Sequence, residues 1–118
     1  MVNIDDYIEQ IQNYVAYLAN KDYQATQELT LSDSVPIQDI QRRIEEYGNE
    51  IIPLPTNAFD LAQVYQVTDK QIDIFLPLWS KEEGRSDLTL CLSCFKEENK
   101  IKINDLEVYK AANKQHTA

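Results

Sequence analysis

Two alternating segments decide the fold: Gln71-Ile-Asp-Ile-Phe-Leu-Pro-Leu-Trp-Ser80 and Asp87-Leu-Thr-Leu-Cys-Leu-Ser-Cys-Phe95. In each, an aliphatic residue or a cysteine stands at every second position. Successive side chains of a β-strand point to opposite faces, so each segment predicts a strand with one apolar face. The glycine-containing stretch between them predicts a hairpin that joins the two strands.

Two weaker segments flank this pair. Val64–Val67 is a short alternating stretch, and Ile101–Ile103 resumes the alternation after a charged turn. The phase slips at Asn104-Asp105 before it resumes with Leu106, which predicts a bulge or a kink at that point. Strands joined by such short turns are expected to pair as an antiparallel meander of four.

The first half of the chain has a helical period instead. Apolar residues spaced three and four apart predict a helix from Asn3 to about Leu18, and a shorter helix is expected from Asp22 to about Leu29. A third helix should begin after Ser34 and end at Gly48. The predicted fold class is therefore α+β: two to three N-terminal helices packed on a bent antiparallel sheet of about four strands. We expect one domain over residues 1–110 and a flexible C-terminal tail over 111–118.

Composition excludes several functions. The chain has 118 residues, 20 acidic and 11 basic, and a formal net charge of −9, which argues against binding to nucleic acid or to anionic membrane surfaces. Residues 1–59 hold ten acids and three bases, whereas residues 60–118 hold ten acids and eight bases. No apolar run is long enough to span a membrane and no secretory signal is visible, so a cytoplasmic location is expected.

The chain offers few residues for catalysis or metal binding. Cys91 and Cys94 lie three apart in a predicted strand, so their sulfurs should face opposite sides and share neither a metal nor a disulfide. His116 is the single histidine, and it lies in the predicted tail. Gly48 and Gly84 are the only glycines, which excludes glycine-rich phosphate loops. We expect no catalytic triad, no metal site and no cofactor.

The face of the sheet that carries Phe75, Trp79 and Phe95 is expected to be only partly polar. An apolar sheet face that no helix covers is typical of an interface. We therefore predict a homodimer through this face, and the acidic half of the chain makes a basic protein a further expected partner.

Two segments resemble the nuclear transport factor 2-like superfamily of cone-shaped α+β domains. Tyr14-Val-Ala-Tyr-Leu-Ala-Asn-Lys-Asp-Tyr23 is similar to the first helix of that fold and its turn into the second. The segment Leu76–Leu90, which reads LPLW-x3-EGRSDLTL, resembles the hairpin signature of a bacterial family that we place in the superfamily. The resemblance spans roughly residues 4–109. It implies a bent sheet cradled by helices, in a superfamily that contains isomerases, dehydratases, ligand carriers, binding modules and immunity proteins.

The hairpin loop, Trp79–Asp87, holds the densest mixture of functional residue types. Trp79 offers an anchoring surface, Glu82 and Glu83 could meet a basic partner, and Arg85 could clamp a carboxylate or phosphate near Asp87. The alternative is purely structural: Arg85 would pair with a nearby acid, and Trp79 would plug the end of the cone.

Asp73 and Tyr14 are the possible polar groups of a cone cavity. Asp73 stands inside an apolar strand and Tyr14 on the apolar stripe of the first helix. The alternatives are a solvated outer-face carboxylate and an ordinary core tyrosine.

The functional prediction follows from these residues. We expect a non-catalytic cytosolic binding or interaction module, in its sharpest form an acidic inhibitor of the immunity type. The alternative is a small-molecule-binding enzyme or carrier, of the isomerase or dehydratase kind, that uses the cone cavity.

Overall fold

The structure is a computed structural model that describes residues 2–109, in which two α-helices precede a five-stranded sheet. A 3-10 turn, Ile4–Tyr7, leads into the first helix. The helices are α1 (Ile8–Ala19) and α2 (Ile37–Tyr47), and the strands are β1 (Ile51–Ile52), β2 (Gln63–Thr68), β3 (Gln71–Ser80), β4 (Gly84–Phe95) and β5 (Lys102–Val108). The α+β class is confirmed. His116 and the predicted tail over 111–118 lie outside the described residues.

The helix predicted from Asp22 to Leu29 is wrong, because the chain forms only a 3-10 turn there, Ala25–Glu28. The Thr26 hydroxyl donates to the Tyr23 carbonyl at 2.6 Å, a local side-chain bond that competes with helix formation. The chain beyond this turn then bonds to the strand side of the molecule: Ile101 N–H donates to the Leu29 carbonyl, and Leu31 N–H donates to the Ile101 carbonyl. The helix predicted after Ser34 is confirmed as α2.

The α2 helix begins and ends where the sequence predicts. Pro36 is its N-cap residue, at the end of a helix where the missing N–H costs nothing. Gly48 is the C-cap residue with φ of 88°, a left-handed conformation that glycine adopts without steric cost.

The predicted meander is confirmed, since β2, β3, β4 and β5 pair antiparallel with their chain neighbours. The sheet has one strand beyond the predicted four: β1 pairs with the end of β3 at Trp79 and Ser80, on the same edge as β2. Pro77 lies between the stretches of β3 that pair with β1 and β2, where its lack of an N–H group breaks no ladder bond.

The sheet has two different faces. The inner face carries the alternating apolar side chains of β3 and β4, and they are almost completely buried against α1 and α2. The outer face carries the intervening residues of the same strands: those of β3 are half-buried, whereas Thr89, Cys91 and Ser93 of β4 are buried. The inner-face residues are Ile72, Ile74, Leu76, Leu78, Leu88, Leu90, Leu92 and Cys94, and they pack against Ile11, Val15, Leu18 and Ile40 of the helices.

Two irregularities bend the sheet. Asn104 is the extra residue of β5, because Cys91 pairs with Asp105 whereas Leu92 pairs with Ile103, and the predicted bulge is confirmed. The larger irregularity lies in the β3–β4 hairpin, where Leu78 alone faces the three residues Ser86–Leu88.

Ser86 holds this larger bulge together. It is 1% exposed, and its hydroxyl donates to the Leu78 carbonyl at 2.8 Å while it accepts the Leu88 N–H at 3.2 Å. The side chain therefore replaces ladder bonds that the bulge removes, as buried backbone groups require.

We predict that Ser86→Ala destabilises the fold by about 1–3 kcal/mol, because it leaves buried backbone groups without their partner. Chemical denaturation measures this change in the free energy of unfolding. Ser32→Ala is the control, since Ser32 is exposed and should change stability by less than about 0.5 kcal/mol. Equal stability of the two variants would contradict the role assigned to Ser86.

Candidate interaction surface

The hairpin loop, Trp79–Asp87, is tied to the end of α2 through Glu83. One carboxylate oxygen of Glu83 accepts hydrogen bonds from the Tyr47 hydroxyl and, at 2.8 Å, from the Asn49 side-chain amide. The Glu83 N–H donates to the Ser80 hydroxyl at 3.1 Å. Burial, together with the hydrogen bond to Glu83, raises the pKa of Tyr47 to about 12.

Tyr47 also supports the β3–β4 bulge. Its hydroxyl accepts the Asp87 N–H at 3.2 Å, while the Asp87 carbonyl accepts the Tyr109 N–H at 2.8 Å. Both backbone groups of Asp87, the N–H and the carbonyl, therefore have hydrogen-bond partners outside the hairpin.

Glu82 is likewise engaged in the fold, because its carboxylate accepts the Glu50 N–H at 2.9 Å, next to β1. Arg85 is exposed and pairs across the hairpin with Trp79, which lies on the outer face. Arg85 takes part in none of the ion pairs within residues 2–109, so the pairing expected with Asp87 or a neighbouring glutamate is not formed there. Trp79 does not plug the interior, since it lies on the opposite face.

The structure does not bring Asp73 and Tyr14 together. Asp73 lies on the outer face, where its carboxylate accepts hydrogen bonds from Ser93 at 2.6 Å and Gln71 at 3.0 Å. Tyr14 is 1% exposed on the helical side, and burial raises its pKa. The sheet separates the two groups, which therefore cannot act on one ligand.

Aliphatic side chains fill the space between the helices and the inner face. Tyr14 does border a cavity of about 620 Å³ outside this packed core, between α1, the connection into α2 and the β4–β5 turn. Its lining is mixed: hydroxyl and amide side chains such as Thr26 and Ser34 lie beside the charged Glu98 and Lys100 and beside aliphatic residues such as Ile37.

The two thiols face opposite sides of the sheet, as predicted. Cys91 pairs with Phe75 on the outer face and Cys94 with Ile72 on the inner face, and both are buried and free. Burial raises the pKa of Cys91 to about 11 and that of Cys94 to about 12, so both are protonated thiols at neutral pH.

Exposed apolar side chains concentrate at one place on the molecule. Of the six large hydrophobic residues that are exposed within residues 2–109, four lie between positions 61 and 67. They are Leu61, Val64, Tyr65 and Val67, on or next to β2, and all six residues of this strand are exposed.

A groove of about 610 Å³ runs over the outer face beside β2. Tyr65 packs edge-on against Phe75 with ring centroids 5.6 Å apart, and Tyr109 contributes a further aromatic wall. Arg85 is the only charged residue among the described residues that line the groove, so the structure places this predicted binding residue beside aromatic side chains. We call β2 and this groove the β2 surface.

Sequence reasoning missed most of the β2 surface. Tyr65, Leu61 and Tyr109 were not among the predicted site residues, because alternation alone does not show whether a strand is covered. A signal was present, however: only Asp60 is charged between positions 51 and 68, in a chain of which 26% is charged.

A family model described as a domain of unknown function (DUF7668) matches residues 15–109. The chain belongs to the DUF7668 family. The match runs from within α1 to the residue after β5, so the DUF7668 domain contains the whole sheet, α2 and the β2 surface. No curated protein and no solved structure matches the chain. No helix within residues 2–109 is long and apolar enough to cross a membrane.

We predict that Tyr47→Phe lowers the free energy of unfolding by about 1–2 kcal/mol at pH 7, because it removes the bonds to Glu83 and Asp87. The raised pKa of Tyr47 means that the neutral phenol stabilises the fold below pH 10 and that this contribution is lost as the pH rises towards 12. The wild type should therefore lose stability faster than Tyr47→Phe between pH 10 and 12.

Denaturation curves across this pH range measure both effects. Tyr17→Phe is the matched control, since Tyr17 forms no side-chain hydrogen bond within residues 2–109, and it should follow the wild type. If Tyr47→Phe also follows the wild type, Tyr47 does not hold the hairpin loop.

Proposed function

We propose that the protein is a non-catalytic interaction module that associates with a second copy of itself through the β2 surface. We further propose that its fold is a nuclear transport factor 2-like cone; two helices packed on a curled antiparallel sheet support this assignment. The observation that carries the function is the exposure of an entire uncharged strand, β2, whose hydrophobic residues Val64, Tyr65 and Val67 lie beside a groove with aromatic walls.

Hydrophobic side chains of β2 that contact water are energetically unfavourable, which supports an interface at this strand. Tyr65 is 52% exposed, Val67 50% and Val64 43%, and Val64 lies on the face of β2 opposite to that of Tyr65. Single exposed hydrophobic residues scattered over a surface are ordinary in a monomer, whereas several on one strand, with Leu61 next to it, favour a strand that a partner covers. Covering such side chains removes apolar area from water at roughly 25 cal/mol per Å².

Charge favours a second copy as the partner. Two molecules with a net charge of −9 repel each other over most of their surfaces. The segment Ile51–Thr68 supplies β1, β2 and their connection, and Asp60 is its only charged residue. Identical copies therefore meet with least repulsion at this edge of the sheet.

The packed interior argues against the enzyme alternative. Asp73, the candidate base, is bonded to Ser93 and Gln71 on the outer face, away from the helices. The cavity beside Tyr14 has Glu98 and Lys100 in its lining, on the β4–β5 turn, but not Asp73. The exposed acids of the helices, such as Glu9 and Glu45, stay free in a dimer formed through β2, so an additional basic partner is compatible with the proposal.

We predict that Val64→Lys raises the dimer dissociation constant at least tenfold, because it places a charge in the apolar interface. Sedimentation equilibrium over a series of protein concentrations measures this constant. Val108→Lys is the matched control: Val108 is 46% exposed, close to the 43% of Val64, but it lies on β5 beside Tyr47 and Leu106 and does not line the groove.

The control should leave the dissociation constant within a factor of two of the wild type. A wild type that stays monomeric at millimolar concentration would contradict the proposed function. So would a dimer that Val108→Lys weakens and Val64→Lys does not.

A further inference from the structure

The two outer edges of the sheet are unequal. At one edge lies β5, and at the other lies β2, which pairs only with β3. An uncovered edge strand presents a row of unpaired N–H and C=O groups, and proteins usually cover or charge it to prevent unwanted pairing.

The β5 edge is closed by backbone and side-chain bonds. The Val35 N–H donates to the Ile103 carbonyl at 2.9 Å, and the Ile103 N–H donates to the Ser34 hydroxyl at 3.0 Å. Further along the strand, Arg43 donates to the Leu106 carbonyl at 2.9 Å and pairs with Asp105 at 2.8 Å. Because these groups are already bonded, β5 presents no continuous row of free N–H and C=O groups to another strand.

Within residues 2–109, the one side-chain bond to the β2 backbone is local and lies at the end of the strand, where the Gln66 side-chain amide donates to the Thr68 carbonyl. No backbone hydrogen bond reaches Gln63–Thr68 except those of the ladder with β3. The strand contains no charged residue and no proline. Its register is regular from Gln63 to Gln66 and shifts at Val67, so the part able to accept another strand is Gln63–Gln66.

We propose that β2 strands of two copies pair antiparallel across a two-fold axis, joining the two sheets edge to edge into one. This inference rests on the proposed function and specifies its geometry. Backbone groups that need a strand partner are best satisfied by another strand, as in known modes of strand addition. An antiparallel pair of identical strands satisfies both copies equally, as a two-fold interface requires.

Side chains favour the same arrangement. In such a pair, Val64 and Tyr65 lie next to side chains of the partner on the two faces of the joined sheet, and cross-strand aromatic and β-branched pairs are stabilising. Like charges directly opposite each other would be destabilising, and β2 has none to place there.

A cysteine scan tests the geometry. The variants are Gln63→Cys, Val64→Cys, Tyr65→Cys and Gln66→Cys, each oxidised at a concentration where the reduced variant is dimeric by sedimentation. The wild type is the control, because its own two cysteines are buried. The cross-linked fraction is read by non-reducing electrophoresis.

We expect cross-linking to peak at one position or at two adjacent positions and to fall at least fivefold at the others. Each residue away from a two-fold axis separates the equivalent Cα atoms by about 6.6 Å more along the strands, twice the rise per residue. A disulfide needs Cα atoms about 4.4–6.8 Å apart, so only positions at the axis can form one.

Other outcomes overturn the inference in distinguishable ways. Cross-linking at Gln63 and Tyr65 without Val64 and Gln66 would mean that outer faces pack face to face. Equal cross-linking at all four positions would mean parallel pairing, and none in a proven dimer would place the interface elsewhere. All three reject antiparallel edge pairing, and the first two leave the proposed function intact. A monomeric wild type rejects both.

Discussion

The structure depends on the strict alternation of side chains along β3 and β4. It places eight apolar residues on one face, each at most 1% exposed, and it fixes the register because a slip of one residue would expose them all. The helices are needed to cover this face, and α1 and α2 supply matching stripes such as Ile11 and Ile40. The same alternation places Phe75 and Pro77 on the outer face, where they line the groove beside β2, so the packing that stabilises the fold also positions the surface proposed for binding.

The bend in the hairpin links this packing to the rest of the molecule. The bulge opposite Leu78 leaves backbone groups that Ser86, Tyr47 and Tyr109 satisfy from three different elements. Glu82 and Glu83 then tie the hairpin loop to Glu50 and to the end of α2. The acidic residues of the loop therefore have structural contacts, whereas Arg85 lies free of ion pairs within residues 2–109, beside the aromatic groove.

The fold was more predictable than the site. Periodicity predicted α1, α2, the meander and the Asn104 bulge, because burial of one face or stripe acts through the local sequence. The helix expected from Asp22 failed because Thr26 forms a local bond and the following chain pairs with β5, a contact that no local pattern reveals. The hydrogen bond between Tyr47 and Glu83 joins residues 36 positions apart, so no local pattern predicts it. The exposure of β2 depends on which edge of the sheet the rest of the chain covers, and alternation does not show this either.

Amide hydrogen exchange at low and high protein concentration reports directly on whether the β2 strands of two copies pair. In an antiparallel ladder, alternate amides of β2 bond to β3 and the intervening ones face the free edge. With edge pairing, the intervening amides of Gln63–Gln66 exchange more slowly as protein concentration rises, while amides of α2 and β5 do not change. Protection that appears on α2 or along β5, or exchange at β2 that is independent of concentration, would contradict it.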